Sequence, residues 1–288
     1  MVPRGSQLTV GIGDDCAVFR PPGSSDDLLF TTDLLIEGVH FERDTHTAAD
    51  AGHKALARGL SDIAAMGGKP LFCLLSLVVP EWAGPAWVDR FFGGLIKLAR
   101  RTGTALAGGD LARAERFACD IVVAGSVPKG TALRRAGARA GDAIYVSGLL
   151  GGSALGLCTR QGRSWKRHLR PEARLALGQY LRRRVRTTSA MDLSDGLSLD
   201  LRRLCLASQV SAQIQAPPVF PGATLDEALH GGEDYELLFT VAPGAHVPAH
   251  FEKLPLTRIG TIQRGHPGRV LLAGQPLAAL GYDHFKRS

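Results

Sequence analysis

The sequence is poor in aromatic residues and has no extended basic segment. Phe, Trp and Tyr make up 6% of its 288 residues, and no RNA- or DNA-binding signature is present. The net charge is +7, but the arginines are dispersed except for a cluster at residues 182–186, at the end of a predicted helix. A basic helix end of this kind is usually a solvated face that complements the helix dipole. We therefore do not expect nucleic acid to be a partner.

The sequence also lacks closely spaced cysteines and long apolar runs. Its five cysteines stand at positions 16, 73, 119, 158 and 205 without a CxxC pair, so neither a disulfide framework nor a zinc site is indicated. The longest apolar run, residues 71–79, is far short of the roughly 20 residues that cross a bilayer. No signal peptide follows residues 1–6, which we interpret as a cloning remnant. We expect a cytoplasmic protein that does not bind a membrane.

The apolar content is sufficient for two domains. Hydrophobic residues make up 45% of the chain, which allows buried cores at this length. Around residues 128–142 the composition shifts to Lys, Arg, Gly and Ala, which indicates a boundary. We predict an N-terminal domain at residues 7–130 and a C-terminal α/β domain at residues 131–288.

Local patterns predict more strands than helices in the first half. Thr47 and Asp50 form a capping-box pattern that begins a helix ending near Gly67, and Pro85 begins a second helix. Strands are expected at residues 8–12, 17–19, 28–32, 71–79, 104–107 and 120–127, with a turn at 108–110. Because strands and helices do not alternate strictly, we predict a mixed or antiparallel sheet backed by two long helices, in an α/β (α+β) fold class.

The second half contains a glycine-rich turn and two acidic loops. A strand at residues 143–146 leads into SGLLGGSALGL, residues 147–157, whose backbone N–H groups suit either a phosphate or the close packing of a helix. This turn has neither the Lys-Ser/Thr of a Walker loop nor the glycine spacing of a nucleophile elbow. MDLSDGLSLDL predicts a strand, a turn and a helix, GGEDYELLFTV predicts a loop entering a strand, and residues 258–263 and 269–272 predict a final hairpin.

The stretch TTDLLIEGVHF, residues 31–41, combines hydroxyls, a carboxylate and an imidazole at a predicted strand end. Four further clusters, GIGDD, LSDIAAMGG, GGD and MDLSDG, also place aspartate beside glycine or serine. The aspartates of these clusters are Asp14, Asp15, Asp33, Asp62, Asp110, Asp192 and Asp195. A single such aspartate usually turns a chain or caps a helix, but five clusters favour a site for Mg²⁺, which takes oxygen ligands and is shared with substrate phosphates.

Taken in order, these motifs resemble the thiamine-monophosphate kinase family, in the superfamily that includes aminoimidazole ribonucleotide synthetase and selenophosphate synthetase. The resemblance extends from Gly11 to Phe285 and rests on GIGDD, TTDLLIEGVHF, LSDIAAMGG, GGD, MDLSDG, GGEDYELLF and GYDHF. It implies an N-terminal sheet domain that pairs with its counterpart in a homodimer barrel, and ATP held between that domain and the C-terminal one.

The resemblance also implies roles for individual residues. Mg²⁺ ions would be held against the ATP phosphates by Asp14, Thr31, Thr32, Asp33, Asp62, Asp110, Asp192 and Asp195, of which Asp62 and Asp195 are the predicted catalytic residues. The nucleotide would be bound by Gly109, Asp110, Arg135 and Ser194. Thiamine monophosphate would be bound by His40, Glu233 and Tyr282.

The chain departs from the family pattern outside the acidic clusters. Leu111 and Ala112 follow GGD where the family more often has hydroxyls, which removes possible phosphate contacts. Tyr282 stands where the family often has Trp, which leaves a smaller surface for stacking. The family also usually carries a further segment before GIGDD.

The implied activity is in-line transfer of the γ-phosphoryl group of ATP to thiamine monophosphate, with Mg²⁺ neutralising the two polyanions. One alternative is another ATP-dependent enzyme of the same superfamily, which the GGEDYELLF and GYDHF motifs and the lack of an N-terminal reactive cysteine disfavour. The other alternative is a non-catalytic regulator that binds nucleotide or metal, which the complete acidic set disfavours.

Overall fold

The structure, a computed structural model, describes residues 7–283. The interpreted cloning remnant at residues 1–6 and the last two residues of the GYDHF motif lie outside the described residues. No helix within residues 7–283 combines the length and the apolar character needed to span a bilayer.

The first half of the described chain forms a six-stranded sheet with two helices. Its strands are β1 (Leu8–Val10), β2 (Ala17–Phe19), β3 (Asp26–Ile36), β4 (Lys69–Val78), β5 (Ala105–Ala112) and β6 (Ala118–Pro128), and its helices are α1 (Ala48–Ala65) and α2 (Pro85–Thr102). The strands lie in the order β1-β2-β3-β6-β4-β5, in which β4 and β5 are parallel and the other neighbours are antiparallel. The predicted mixed sheet backed by two long helices is therefore confirmed.

The second half forms a larger sheet with shorter helices. Its strands are β7 (Ala143–Ser147), β8 (Thr187–Asp192), β9 (Ser211–Ile214), β10 (Leu237–Val241), β11 (His250–Phe251), β12 (Leu254–Gln263), β13 (Val270–Leu272) and β14 (Gln275–Pro276). Its helices are α3 (Gly152–Thr159), α4 (Gly162–Leu169), α5 (Leu175–Arg184), α6 (Leu197–Ala207) and α7 (Leu225–His230). The strand order is β14-β13-β9-β12-β7-β10-β8, with β11 paired to β12. Mixed sheets with helices in both halves confirm the α/β fold class.

Helix α1 contacts both sheets, and the site is built around it. The predicted capping box is present, because Thr47 Oγ1 accepts from the N–H of Asp50 while the Asp50 carboxylate accepts from the N–H of Thr47. The apolar face of α1, which includes Leu60, is buried against the N-terminal sheet. Gly52 lets α2 approach so closely that a Cβ there would lie 1.9 Å from the carbonyl oxygen of Phe91. Close packing of this kind fixes the direction of the polar face of α1.

Three local predictions are wrong. Strand β3 does not end at Thr32 but continues to Ile36 and pairs with β6 along its whole length. The GGD motif is not a turn, since residues 108–110 lie within β5, parallel to β4. Residues 258–263 and 269–272 do not form a hairpin, because β9 lies between β12 and β13. In each case the partner strand comes from a distant part of the chain, which local patterns do not reveal.

Candidate active site

A cavity of about 710 Å³ is lined by residues from both halves of the chain. Strand β3 contributes Asp33, α1 contributes Arg58 and Asp62, and β8 ends at Asp192. The predicted site residues in the lining are Asp33, His40, Asp62, Asp192, Ser194, Asp195, Glu233 and Tyr282. Residues that are far apart in the sequence therefore line one cavity. They include aspartates of the acidic motifs and the three predicted acceptor residues.

Three carboxylates lie close together, and two of them, Asp62 and Asp192, line this cavity. Asp15, Asp62 and Asp192 each have an oxygen that lies within 4.8 Å of the others. Asp62 Oδ2 accepts a hydrogen bond from Thr31 Oγ1, and Asp192 Oδ2 accepts one from Ser61 Oγ at 2.6 Å. The buried Oδ2 of Asp15 has no hydrogen-bond partner among the described residues. An unpaired buried carboxylate oxygen beside two further carboxylates fits a hard cation.

The electrostatics of the three carboxylates also favour a cation. Burial raises the pKa of Asp15 to about 8 and that of Asp192 to about 6. Burial and the neighbouring carboxylates hold the pKa of Asp62 well above its usual range. Arg135 opposes the shifts of Asp15 and Asp192, and its Nη2 lies 2.5 Å from Asp15 Oδ1. When the three carboxylates are ionised, the single arginine leaves negative charge that a divalent cation would neutralise in place of the protons.

Strand alternation divides the predicted ligands of the TTD motif. Successive side chains of a strand face opposite sides of the sheet. Thr31 faces α1, whereas Thr32 Oγ1 donates to Asp120 Oδ1 at 2.5 Å on the other face. Asp33 returns to the α1 side, where its Oδ1 lies 3.3 Å from Arg58 Nη2. The structure therefore brings Thr31 and Asp33 to the carboxylates and places the Thr32 side chain away from them.

The predicted nucleotide residues of β5 lie outside the cavity lining. Gly109 packs against β4 so closely that a Cβ would lie 1.8 Å from the carbonyl oxygen of Leu75, which requires a glycine for packing reasons alone. Asp110 is exposed, and its Oδ1 accepts from the N–H of Leu111 at 2.9 Å. Both residues lie on the edge strand of the N-terminal sheet.

Asp14 and Arg135 connect the GIGDD turn to the segment that joins the two sheets. Asp14 Oδ1 accepts from the N–H of Arg135 at 3.1 Å. Burial raises the pKa of Asp14, and backbone hydrogen bonds partly oppose that shift. The guanidinium of Arg135 meanwhile contacts Asp15. Asp15, to which the family resemblance assigned no individual role, is thus more central to the cluster than Asp14.

Asp195 is paired with an arginine that the sequence analysis did not identify. Arg203 Nη1 lies 2.5 Å from Asp195 Oδ2 and 2.9 Å from Asp200 Oδ1. The buried Asp200 carboxylate accepts from the N–H groups of Asp195 and Gly196 and so fixes the turn before α6. Burial raises the pKa of Asp200 to about 7. The spacing of Asp195 and Asp200 in MDLSDGLSLDL was the available sequence signal for this turn.

The three predicted acceptor residues line the same cavity as the carboxylates. His40 Nδ1 accepts from the N–H of Ile36 at 3.1 Å, so its neutral ring carries the proton on Nε2. Glu233 has a left-handed backbone conformation with φ of 64°, and its N–H donates to the carbonyl oxygen of Ser194 at 2.7 Å. The Tyr282 side chain is exposed at the cavity edge.

The sequence analysis did not identify a buried lysine that contacts Glu233. Lys54 Nζ donates to Glu233 Oε2 at 2.9 Å. Burial would raise the pKa of Glu233, but the ammonium of Lys54 holds it below its usual value. The signal for Lys54 was weak, because a lysine within a helix is normally read as exposed. Its position among buried alanines on α1 was the indication that could have been used.

The glycine-rich turn before α3 binds a carboxylate of the chain itself. The N–H groups of Gly151 and Ser153 donate to Asp234 at 2.6 and 3.1 Å. Arg167 then bridges Asp234 and the buried Glu236, at 3.3 and 2.9 Å. Because the N–H groups that a phosphate would need are occupied, the geometry favours the packing interpretation of this turn.

Comparison with known proteins matches both halves of the chain. The N-terminal domain of the AIR synthase related proteins matches residues 13–127, and their C-terminal domain matches residues 139–272. The chain is 40% identical to the thiamine-monophosphate kinase of Escherichia coli O157:H7 over 312 aligned positions, which cover 98% of this chain and 94% of the relative.

Solved structures of the same kind superpose on the whole chain. AaThiL complexed with AMPPCP and TMP is similar with a TM-score of 0.84 and 32% identity, over 95% of this chain and 92% of that one. The thiamine-monophosphate kinase from Stenotrophomonas maltophilia K279a gives a TM-score of 0.80 and 36% identity, over 95% and 93% of the two chains. Sequence and fold agree along nearly the full length, and the chain belongs to the thiamine-monophosphate kinase family of the AIR synthase related proteins.

Proposed function

We propose that this protein transfers the γ-phosphoryl group of ATP to the phosphate of thiamine monophosphate and so forms thiamine diphosphate. The observation that carries the proposal is the cavity in which Asp62 and Asp192 face the same space as His40, Glu233 and Tyr282. The relatives support it, since they are thiamine-monophosphate kinases and AaThiL holds AMPPCP, an ATP analogue, together with TMP. A cavity with acidic residues and some apolar surface suits two phosphates and a heteroaromatic acceptor.

We propose Mg²⁺ as the metal, with several ions per site. The residues present fit it, because the orphaned Asp15 Oδ2 and the adjoining carboxylates are the oxygen ligands that Mg²⁺ prefers. When bound, Mg²⁺ neutralises phosphate charge and so allows two polyanions to approach each other. The proposed ligands are Asp14, Thr31, Asp33, Asp62, Asp192 and Asp195, to which the geometry adds Asp15. The side chains of Thr32 and Asp110, which were also predicted ligands, lie away from this cluster.

The protein groups around the phosphates have separate proposed roles. Asp62 and Asp195 are the proposed catalytic carboxylates, which would hold the metal that neutralises the reacting phosphates. Arg203 holds Asp195 in place from the side of α6. The nucleotide is bound by Gly109, Asp110, Arg135 and Ser194. Arg135 uses part of its donor fork for Asp15, and a guanidinium has further N–H groups for nucleotide oxygens.

The proposed acceptor needs no general base. The second pKa of a phosphate monoester is about 6, so the attacking oxygen is already anionic at neutral pH. A hydroxyl acceptor would instead need a group to take its proton, commonly an aspartate. His40 is unsuited to that role in its present tautomer, because Nδ1 accepts from the N–H of Ile36 and Nε2 carries the proton. It would donate a hydrogen bond to the acceptor phosphate, while Glu233 and Tyr282 bind the rest of the acceptor.

We also propose a homodimer formed through the outer face of the N-terminal sheet, with its barrel at the interface. Leu34 on β3 and Leu74 on β4 are 53% and 40% exposed on that face. The half-buried Phe30 and Phe72 lie on the same side of these strands, by alternation. An apolar sheet face that remains exposed in one chain is typical of an interaction surface.

The proposed domains are residues 7–130 and residues 131–288. In support, β6 ends at Pro128 and β7 begins at Ala143, so the boundary lies in the segment that joins the two sheets. The proposed location is the cytoplasm, where ATP is available. All five cysteines are free thiols, which suits a reducing compartment.

A coupled assay tests the proposed function. Purified protein with ATP and Mg²⁺ should release ADP in the presence of thiamine monophosphate, and release should stop when thiamine monophosphate or Mg²⁺ is omitted. Parallel reactions with thiamine, with aminoimidazole-type acceptors and without an acceptor would reveal another reaction of the superfamily. ADP release that does not depend on thiamine monophosphate would overturn the proposal.

A further inference from the structure

Lys54 is among the largest completely buried side chains of residues 7–283, and all its donors are directed at polar partners. Its Nζ donates to Glu233 Oε2 at 2.9 Å and to the carbonyl oxygen of His40 at 3.0 Å, and it lies 3.4 Å from His168 Nε2. An ammonium has three N–H groups, so these contacts match its donors. Two of the three partners are residues that line the cavity as proposed acceptor contacts.

Stability alone does not explain this lysine. Burial of a charged group is costly, and an apolar residue of similar volume in place of a buried ion pair is often neutral or stabilising. The neighbours of Lys54 on α1, Ala51 and Ala55, are apolar and buried, so the polar partners of its ammonium all come from other parts of the fold. The positive charge at this position therefore indicates that Lys54 has a functional role through the residues it contacts.

The partners of Lys54 come from separate parts of the fold. Lys54 lies on α1, beside the N-terminal sheet, whereas Glu233 belongs to the loop before β10 and His168 to α4. The Glu233 carboxylate is also 3.3 Å from His168 Nδ1, which in turn contacts Ser153 Oγ at 2.9 Å. The side chain of Glu233 remains 24% exposed. Glu233 is thus held by its partners on the buried side, and part of its side chain remains accessible from the cavity.

We propose that Lys54 is a positioning residue for the acceptor. Its ammonium fixes the ionised Glu233 and the backbone carbonyl of His40 from the buried side, so that both residues present their cavity-facing groups to the acceptor in a set geometry. Lys54 is 0% exposed and is not among the described residues that line the cavity, so it acts through these two residues. The fitting ligand is a phosphate monoester with a cationic or N–H-bearing heteroaromatic part, which an oriented carboxylate would bind. This inference rests on the proposed function.

The test is the acceptor KM of Lys54→Met, which keeps the side-chain length and removes the charge. We expect KM for thiamine monophosphate to rise by about tenfold or more, KM for ATP to stay within about twofold, and kcat to fall less than KM rises. The acidic limb of kcat/KM for the acceptor should move to higher pH, because Glu233 loses its principal cation. Glu233 also lies near Arg58 on α1, His168 on α4 and His46 in the loop before α1. These three groups are unchanged in the variant.

Glu233→Gln, alone and combined with Lys54→Met, separates positioning from a general structural effect. If Lys54 acts through Glu233 as well as through the carbonyl of His40, the double variant should raise the acceptor KM by less than the product of the two single effects. Multiplying effects would overturn the inference. Lys97→Met, at an exposed position of α2, is the matched control and should leave both KM values unchanged.

A second variant tests the inference if Lys54→Met does not fold. His168→Gln removes the second support of Glu233 and should raise the acceptor KM, by less than Lys54→Met is expected to, with the ATP KM unchanged. Equal changes in both KM values, or a loss of kcat alone, would overturn the role of Lys54. Absence of phosphorylation of thiamine monophosphate by the unaltered protein would overturn the proposed function instead, so the two failures are distinguishable.

Discussion

Replacing Asp62 with asparagine should change stability and activity in opposite directions. Oxygens of Asp15, Asp62 and Asp192 lie within 4.8 Å of one another. At that distance two unit charges repel by about 3.5 kcal/mol with an effective dielectric constant of about 20. Asp62 takes part in two such pairs. Raised pKa values mean that protons already relieve part of this repulsion, and Arg135 offsets the charge of Asp15. We therefore expect a net gain of about 1–2 kcal/mol in the free energy of unfolding without metal.

The substitution leaves the local hydrogen bond in place. An asparagine carbonyl oxygen can still accept from Thr31 Oγ1, so the gain should not be offset by an unsatisfied hydroxyl. Turnover should be abolished, because one negative ligand that would hold the proposed Mg²⁺ is lost. Residual activity above about a tenth, equivalent to less than about 1.4 kcal/mol in the barrier, would remove Asp62 from the catalytic residues.

The assay is urea unfolding in EDTA, followed by melting curves with increasing Mg²⁺. Asp62→Asn should unfold at higher urea concentration than the unaltered protein in EDTA and should gain less from Mg²⁺. Asp89→Asn, an exposed aspartate on α2, is the matched control and should change neither quantity. A variant that is less stable in EDTA, or that keeps the full Mg²⁺-induced shift, would contradict the metal site at these carboxylates.

Three further predictions concern a histidine pKa, the acceptor and the dimer. Burial lowers the pKa of His46 to about 4. Between about pH 6.5 and 4 the unfolded chain therefore binds a proton that the folded protein does not. The free energy of unfolding decreases by up to about 1.4 kcal/mol for each unit by which the pH is lowered in this range. Urea unfolding in EDTA should therefore show a smaller loss between about pH 6.5 and 5 for His46→Gln than for the unaltered protein, and equal losses would refute this. His40→Asn should raise the acceptor KM more than it lowers kcat; a collapse of kcat with unchanged KM would show that His40 is a base. Leu74→Asp should convert the proposed dimer to monomers in sedimentation, because the exposed leucine lies on the proposed interface. An unaltered protein that is monomeric at micromolar concentration and fully active would exclude the dimer.

The local features that the sequence predicts well are those set by near neighbours. The capping box of Thr47 and Asp50 begins α1 as expected, and Pro85 begins α2. The family assignment is confirmed as well, because ordered motifs carry more information than any single element. Both results depend on residues that are close in the chain or in a fixed order along it.

The features that the sequence did not predict depend on distant partners. Polar residues Thr31 and Thr32 suggested a strand end, yet β6 supplies backbone partners along all of β3 and extends the strand through them. The same alternation sends the Thr32 side chain to the opposite face, where Asp120 accepts its hydrogen bond. Composition gives no indication of such cross-strand pairs.

Buried charged residues were the other feature that the sequence did not predict. Lys54 would be read as a solvent-facing helical residue, because its counterion Glu233 is 179 positions away in the chain. Asp15 was seen beside Asp14 in GIGDD, but their order in the turn did not indicate which carboxylate would reach Asp62 and Asp192. Tertiary packing decides both, through the placement of α1 between the two sheets.

Phosphorus NMR of a complete reaction tests most directly whether a phosphate oxygen is the acceptor. With ATP, Mg²⁺ and thiamine monophosphate, the monoester signal should decline while ADP and the two coupled signals of a new diphosphate appear in equal amounts. With thiamine in place of its monophosphate, the ATP signals should remain unchanged, because the motif aspartates are assigned to the metal and the neutral His40 carries its proton on Nε2. Formation of inorganic phosphate without a new phosphoanhydride, or phosphorylation of thiamine itself, would contradict the proposed reaction.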